Sequence, residues 1–149
     1  MSIAENLKIS KFSSEYHKMI IHLIYTSNAM MHELEKRASV ENITVQQFNV
    51  LRILRGRYPE ASNNNLIKER MIEKMSDVSR MIDRLVNKGL VTRKQSKADK
   101  RAVSLLITQK GLDVLARLEE PMLMHDFLQK KLSLDECVQL TELLEKLND

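Results

Sequence analysis

Turn-forming residues are scarce in this chain: 3 glycines and 2 prolines among 149 residues. A chain so poor in turn formers, and rich in residues that favour helix, is expected to be mostly helical with short connections. The single cysteine, Cys137, excludes an intramolecular disulfide framework. Tryptophan is absent and Tyr and Phe number only 3 each, so there is no aromatic platform for stacking unpaired bases. No run of about 18 apolar residues occurs, which excludes a membrane-spanning helix. The stretch Met1–Lys8 lacks a basic start followed by an apolar run, so no secretory leader is expected and the reducing cytoplasm is the expected location. Gly-rich phosphate loops, nucleophile–base pairs and HExxH motifs are missing, and no two of His17, His22, His32 and His125 stand at i, i+4. The expectation is therefore no enzyme, no cofactor and no metal.

What is present is a charge asymmetry. The net charge is +4. Between Leu66 and Lys110, however, 12 Lys/Arg stand against 5 acidic residues, a local charge of +7 that leaves −3 for the rest. A basic centre in an acidic frame is the footprint of a nucleic-acid face, although basic segments also occur on proteins that bind none.

Apolar spacing orders the chain. From about Glu5 to Arg37 apolar residues recur at three- and four-residue steps, predicting one long first helix whose apolar stripe needs a partner chain. Thr44-Val45-Gln46-Gln47 is a capping box opening a helix that Gly56 and Pro59 close. Ser62 to about Arg70 reads as a short helix. Ser76 is expected to cap the next, whose stripe is Val78, Met81, Ile82 and Leu85 and which Gly89 ends. The period then changes to that of strands at Leu90–Lys94 and Val103–Thr108, joined as a hairpin by the polar segment Gln95–Arg101. Thr108 caps a helix expected to run from Leu112 to Lys131, kinked by Pro121 or holding it near its middle. Ser133-Leu134-Asp135-Glu136 is a second capping box that starts a leucine-rich last helix. Two short helices at a tight turn followed by a hairpin make a winged helix-turn-helix. The fold class expected is mainly α with a small β-hairpin wing: a winged helix-turn-helix core plus a helical dimerisation domain. Its parts would be residues 1–40 for dimerisation, 41–110 for DNA binding and 111–149 again for dimerisation.

Three stretches resemble the MarR family of bacterial regulators. Ile43-Thr44-Val45-Gln46-Gln47 is similar to the family's "LT-x-x-Q" helix opening. Met75–Val91 resembles its recognition helix with a "K-G-L-V" exit at Lys88-Gly89-Leu90-Val91. Asp99-Lys100-Arg101, followed by Ile107-Thr108-Gln109-Lys110-Gly111, resembles its wing signature, with Ile107 in place of the usual Leu. Ser62–Met71 departs from the pattern: it lacks the usual "L-A" pair and carries three asparagines. The resemblance implies a homodimeric regulator on double-stranded operator DNA, with an inverted-repeat site, and a repressor released by a small ligand. The alternative is a winged-helix protein-interaction module without specific DNA binding.

The candidate DNA contacts follow. Ser76, Asp77, Ser79 and Arg80 lie on the outer face of the recognition helix. Arg80 suits guanine O6 and N7, while Asp77 suits either a cytosine amine or the helix N-terminus. Arg84, one turn on, suits a phosphate or an ion pair with Asp83 or Asp77. In the wing, Asp99 and Arg101 leave an extended chain on one face, where the carboxylate would orient the guanidinium into the minor groove; Lys94, Lys97 and Lys100 would take phosphates. A ligand crevice is expected near Tyr16, Met19, Ile20, Phe48 and Leu51. Cys137 sits on an apolar stripe, where a buried, inert thiol is expected rather than a redox sensor.

Overall fold

A computed structural model describes residues 2–74, 77–95 and 102–148. They form two compact units, Met1–Val45 and Gln46–Asp149.

In the first unit the long N-terminal helix is divided. Helix α1 spans only Ile3–Asn6, capped by a Ser2/Glu5 box, and α2 runs Glu15–Ser39. Lys8 takes a left-handed conformation (φ 53°), which helix cannot continue through. Ser14 then caps α2 by accepting from His17 N–H at 3.0 Å. The expected start at Glu5 is thus replaced by one at Glu15: apolar spacing persists across the break because Phe12 still packs, edge-on, against the His17 ring. After α2 the chain turns at Asn42, also left-handed (φ 56°), and Val45 N–H donates to the Glu35 carboxylate.

The second unit holds α3 (Val45–Arg55, its first residue closing the first unit), α4 (Asn64–Arg70), α5 (Val78–Asn87), β1 (Val91–Gln95), β2 (Val103–Ile107), α6 (Gln109–Leu123), α7 (His125–Leu128) and α8 (Leu134–Glu145). Strands β1 and β2 pair antiparallel from Val91↔Ile107 to Gln95↔Val103. Ser62 adds a single bridge to Leu105, exchanging both backbone hydrogen bonds at 2.8 Å. The core collects apolar residues from α3 to α6 and the hairpin: Val50, Leu51 and Leu54 of α3, Ile67 of α4, Val78, Ile82 and Leu85 of α5, Val91, Leu105 and Ile107 of the hairpin, and Leu115 and Leu118 of α6.

Two joints place α5 against the hairpin. At its end, Gly89 N–H donates to Val86 O and Leu90 N–H to Leu85 O, with Gly89 left-handed at φ 71°. This paired closure turns the chain sharply into β1 and needs a residue without Cβ strain at that φ. Thr108 then ties the far side: its hydroxyl donates to Gly89 O at 2.7 Å and accepts from Gly111 N–H at 3.1 Å. Gly111 is required by close packing, since a Cβ there would sit 2.5 Å from Leu90 O and 2.7 Å from Ile107 Cγ1.

Two further expectations change. Helix α4 begins at Asn64 with Asn63 as its cap, because Ser62 is taken into the bridge to β2. The helix after the hairpin does not reach Lys131: Pro121 lies in the last turn of α6, and Met124 is left-handed (φ 55°) and breaks it before α7.

Candidate nucleic-acid interface

Helix α5 divides its residues cleanly. Val78, Met81, Ile82 and Leu85 are buried at helical spacing. Ser79, Arg80, Asp83 and Arg84 are exposed. The apolar side is held by α4, β1 and the core, so the polar side is fixed in orientation without help from any ligand.

The cap of α5 is Asp77, not Ser76: the Asp77 carboxylate accepts from Arg80 N–H at 3.0 Å. Of the two roles open to Asp77, serving the helix N-terminus is the one seen. The same carboxylate meets Arg80 Nε at 3.1 Å. With side chains 73% and 50% exposed, this pair adds little to stability, but it limits the directions the guanidinium takes. Asp83 pairs instead with Arg93 of β1, bracing α5 against the hairpin. That leaves Arg84 with no ion pair among the described residues, so neither Asp83 nor Asp77 is its partner.

The strand register sorts the wing's base. Arg93 faces the same side as Leu105, toward α5, whereas Lys94 lies on the opposite face beside Ser104 and is exposed. Ser76, Lys97, Asp99, Lys100 and Arg101 lie outside the described residues. Two lysines of the basic segment serve the fold. Lys74 donates to Lys68 O and Glu69 O at the end of α4, and Lys110 to Lys88 O at the end of α5. These are favourable places for a cation, at the negative end of a helix.

Asn64 is a residue that sequence reasoning missed. It joins α4 to α5 through Nδ2 donating to Ser79 Oγ at 3.3 Å. The three asparagines were the available signal: one caps α4 and the next reaches α5.

The expected ligand residues fall into two groups. Tyr16, Met19 and Ile20 are exposed on α2. Phe48 and Leu51 are buried in the second unit, where Phe48 also borders a crevice of about 90 Å³ with Arg52, Arg55, Leu115 and Met122. Cys137 is half-buried on α8, a helix with no buried residue, rather than enclosed in the core. Among the described residues no His/Cys/Asp/Glu cluster could hold a metal, and no helix is long and apolar enough to cross a membrane.

Against known proteins, a family profile described as MarR family matches residues 43–103. A MarR transcription factor from Planctomyces limnophilus is 33% identical, over 91% of this chain and 98% of its own, with a TM-score of 0.70. A mutant MarR from E. coli, solved in complex with operator DNA, is 27% identical over 93% and 99% of the two chains, with a TM-score of 0.76. Bordetella bronchiseptica BpsR, whose DNA binding is regulated by 6-hydroxynicotinic acid, matches in fold at 23% identity over 86% and 91%, with a TM-score of 0.69. Comparison with curated proteins gives no match.

Proposed function

The chain belongs to the MarR family of winged-helix transcription regulators, and on that premise we propose that it is a homodimeric repressor that holds an inverted-repeat operator and lets go when a small ligand binds. The observation that carries the DNA reading is α5: a rigidly seated helix with Ser79, Arg80 and Arg84 on its open side, running directly into a hairpin. Such a helix fits the major groove, with the hairpin tip reaching the flanking backbone or minor groove. Asp77, Ser79 and Arg80 would sit nearest the bases together with Ser76. Arg84, Lys94, Lys97 and Lys100 would take phosphates, and Asp99 would orient Arg101.

Dimerisation is supported by what α8 lacks. It buries no residue, yet Leu134, Val138, Leu140, Leu143 and Leu147 lie open on it or just past its end. Tyr16, Met19, Ile20 and Ile24 do the same on α2. Residues 1–40 and 111–149 would supply the dimer interface and residues 41–110 the DNA contacts. A two-fold axis would set the half-sites about 10 bp apart, centre to centre. Ligand release, with Tyr16, Met19, Ile20, Phe48 and Leu51 as the ligand residues, is drawn from membership of the family and from the likeness in fold to BpsR.

The experiment is a salt titration on duplexes selected by the protein from fragments of its parent genome. Binding through phosphates falls steeply with salt, and Arg101→Ala should weaken it and reduce the slope of log K against log salt by about one. A parent protein whose weak binding is equal on all sequences would overturn the operator reading. Phenolic and other small aromatic acids are the first ligands to screen for displacement, and a saturated protein with unchanged operator affinity would overturn release.

A further inference from the structure

One carboxylate serves Arg80 twice. Asp77 Oδ1 accepts from the Arg80 backbone N–H at 3.0 Å and so caps α5. The other oxygen, Oδ2, stands 3.1 Å from Nε of the Arg80 side chain. The two duties are separable in chemistry. A cap needs one acceptor oxygen, and Asn or Ser supplies it about as well as Asp. The second duty needs a second oxygen and its charge, which Asn and Ser lack. A pair this exposed gives the fold little in water. The cap nevertheless makes it more than a chance encounter. It ties the carboxylate to the backbone of the helix, so only the arginine has to be ordered against it. The Arg80 Nη1 and Nη2 groups make no hydrogen bond among the described residues.

Resting on the reading of Arg80 as a base contact, we infer that Asp77 is its positioning residue: the cap carboxylate of α5 holds the guanidinium from the Nε side and leaves the two Nη groups for a base edge with paired acceptors, such as guanine O6 and N7. A base acceptor brought toward Nε would also meet Asp77 Oδ2, acceptor against acceptor, so the Nη end is the open one. When the duplex closes over the helix, water leaves the pair and the attraction between its charges grows. An arginine free to swing between base and phosphate is thereby biased to one direction. Asp77 brings a negative charge close to a polyanion, and the orientation of Arg80 is what offsets that repulsion.

The test is Asp77→Asn, which keeps the cap oxygen and removes the partner of Nε. Affinity for a duplex that the protein selects from randomised DNA should fall by about three- to tenfold per half-site. The sign is the sharp part, since loss of a negative charge beside phosphates would by itself strengthen binding. The thermal midpoint should stay close to the parent's, and Asp77→Ser, a second cap without the charge, should behave in the same way. A lowered midpoint in both variants would assign the pair to stability and overturn the inference. Position separates orientation from direct contact. Scanned over single base-pair changes, Asp77→Asn should relax preference at the same position of each half-site as Arg80→Ala does. Relaxation at another position would make Asp77 a base contact of its own, to a cytosine amine for example, and would also overturn it. In the Arg80→Ala background Asp77→Asn should cause no further loss, because Asp77 acts through the guanidinium. Additive losses, or Asp77→Asn binding as tightly as the parent, would overturn the inference while leaving α5 as the reading helix. An Arg80→Ala loss spread equally over every sequence would overturn the reading of Arg80 and the inference with it.

Discussion

Helices α5 and α8 are close in length, 10 and 12 residues, and both carry an apolar stripe in sequence, yet they stand differently in the fold. The stripe of α5 is covered by its own chain: Val78, Met81, Ile82 and Leu85 are buried, and what remains outside is polar and basic. The stripe of α8 is covered by none of the described residues of its unit, and its leucines remain open. One helix is completed by the core and presents the polar side; the other presents the apolar side and is left to be completed. Exposed polar groups on a seated helix suit a partner rich in hydrogen-bond acceptors, such as DNA. An exposed leucine face suits another apolar helix face, and a second copy of the same chain is the simplest source.

Leucine truncation separates the two helices most sharply. Leu85 is fully buried in α5, so Leu85→Ala should cost about 2–5 kcal/mol of unfolding free energy, read from urea denaturation. It should remove DNA binding through loss of fold. A loss below about 1 kcal/mol would mean that α5 is not seated as described. Leu143→Glu on α8 is the counterpart. It should leave the core intact and weaken the dimer by about 2 kcal/mol or more, seen as dissociation in sedimentation at micromolar concentration. A dimer unchanged by Leu143→Glu would leave α8 without the role proposed for it.

The open side of α5 gives the next effect. Arg80→Ala should cost about 1–3 kcal/mol on the selected duplex and relax preference at one position of each half-site, with urea unfolding almost unchanged. The small effect on folding follows from the exposure of the Arg80–Asp77 pair. An equal loss on every sequence would make Arg80 a phosphate contact and pass base reading to its neighbours.

Much of this arrangement was legible from residue order, and the failures have physical causes. The α5 stripe, the Gly89 exit, the two strands, and the Thr108 and Ser133 caps all rest on local chemistry within a few residues. Where two capping residues are adjacent, local chemistry does not choose between them. Ser76 and Asp77 both suit the start of α5, as Ser62 and Asn63 both suit α4; backbone conformation and the bridge to Leu105 decide. Left-handed turns at Lys8 and Met124 break helices without any glycine to announce them. The contact between Asn64 and Ser79 crosses from one helix to another and obeys no period within either. The candidate interface was thus readable as a face, but not in the contacts that join its helices.

The smallest effect concerns how α8 begins. Ser133 and Glu136 form a reciprocal box: Ser133 N–H donates to the Glu136 carboxylate at 2.8 Å, the Ser133 hydroxyl donates to it at 3.0 Å, and Glu136 N–H returns a bond to Ser133 Oγ at 3.3 Å. The backbone bond first, and the hydroxyl second, hold the Glu136 carboxyl below its usual value of 4.5. A carboxyl lowered by folding contributes stability that is fully present above the unfolded value. That contribution is lost as pH falls from there through the folded value. Above pH 5 the first turn of α8 should therefore be insensitive to pH, and on acidification below 4.5 it should fray as the carboxylate takes a proton. Hydrogen-exchange protection of the Ser133 and Glu136 amides reads this directly, since it reports local opening without requiring the protein to unfold. Glu136→Gln keeps an acceptor at the same place but does not titrate. Its protection should be slightly lower than the parent's at pH 6 and flat on acidification, while α5 gives the same exchange pattern in both proteins. If the parent's amides keep full protection well below pH 4, or if Glu136→Gln retains the acid step, the carboxylate is not what holds the start of α8.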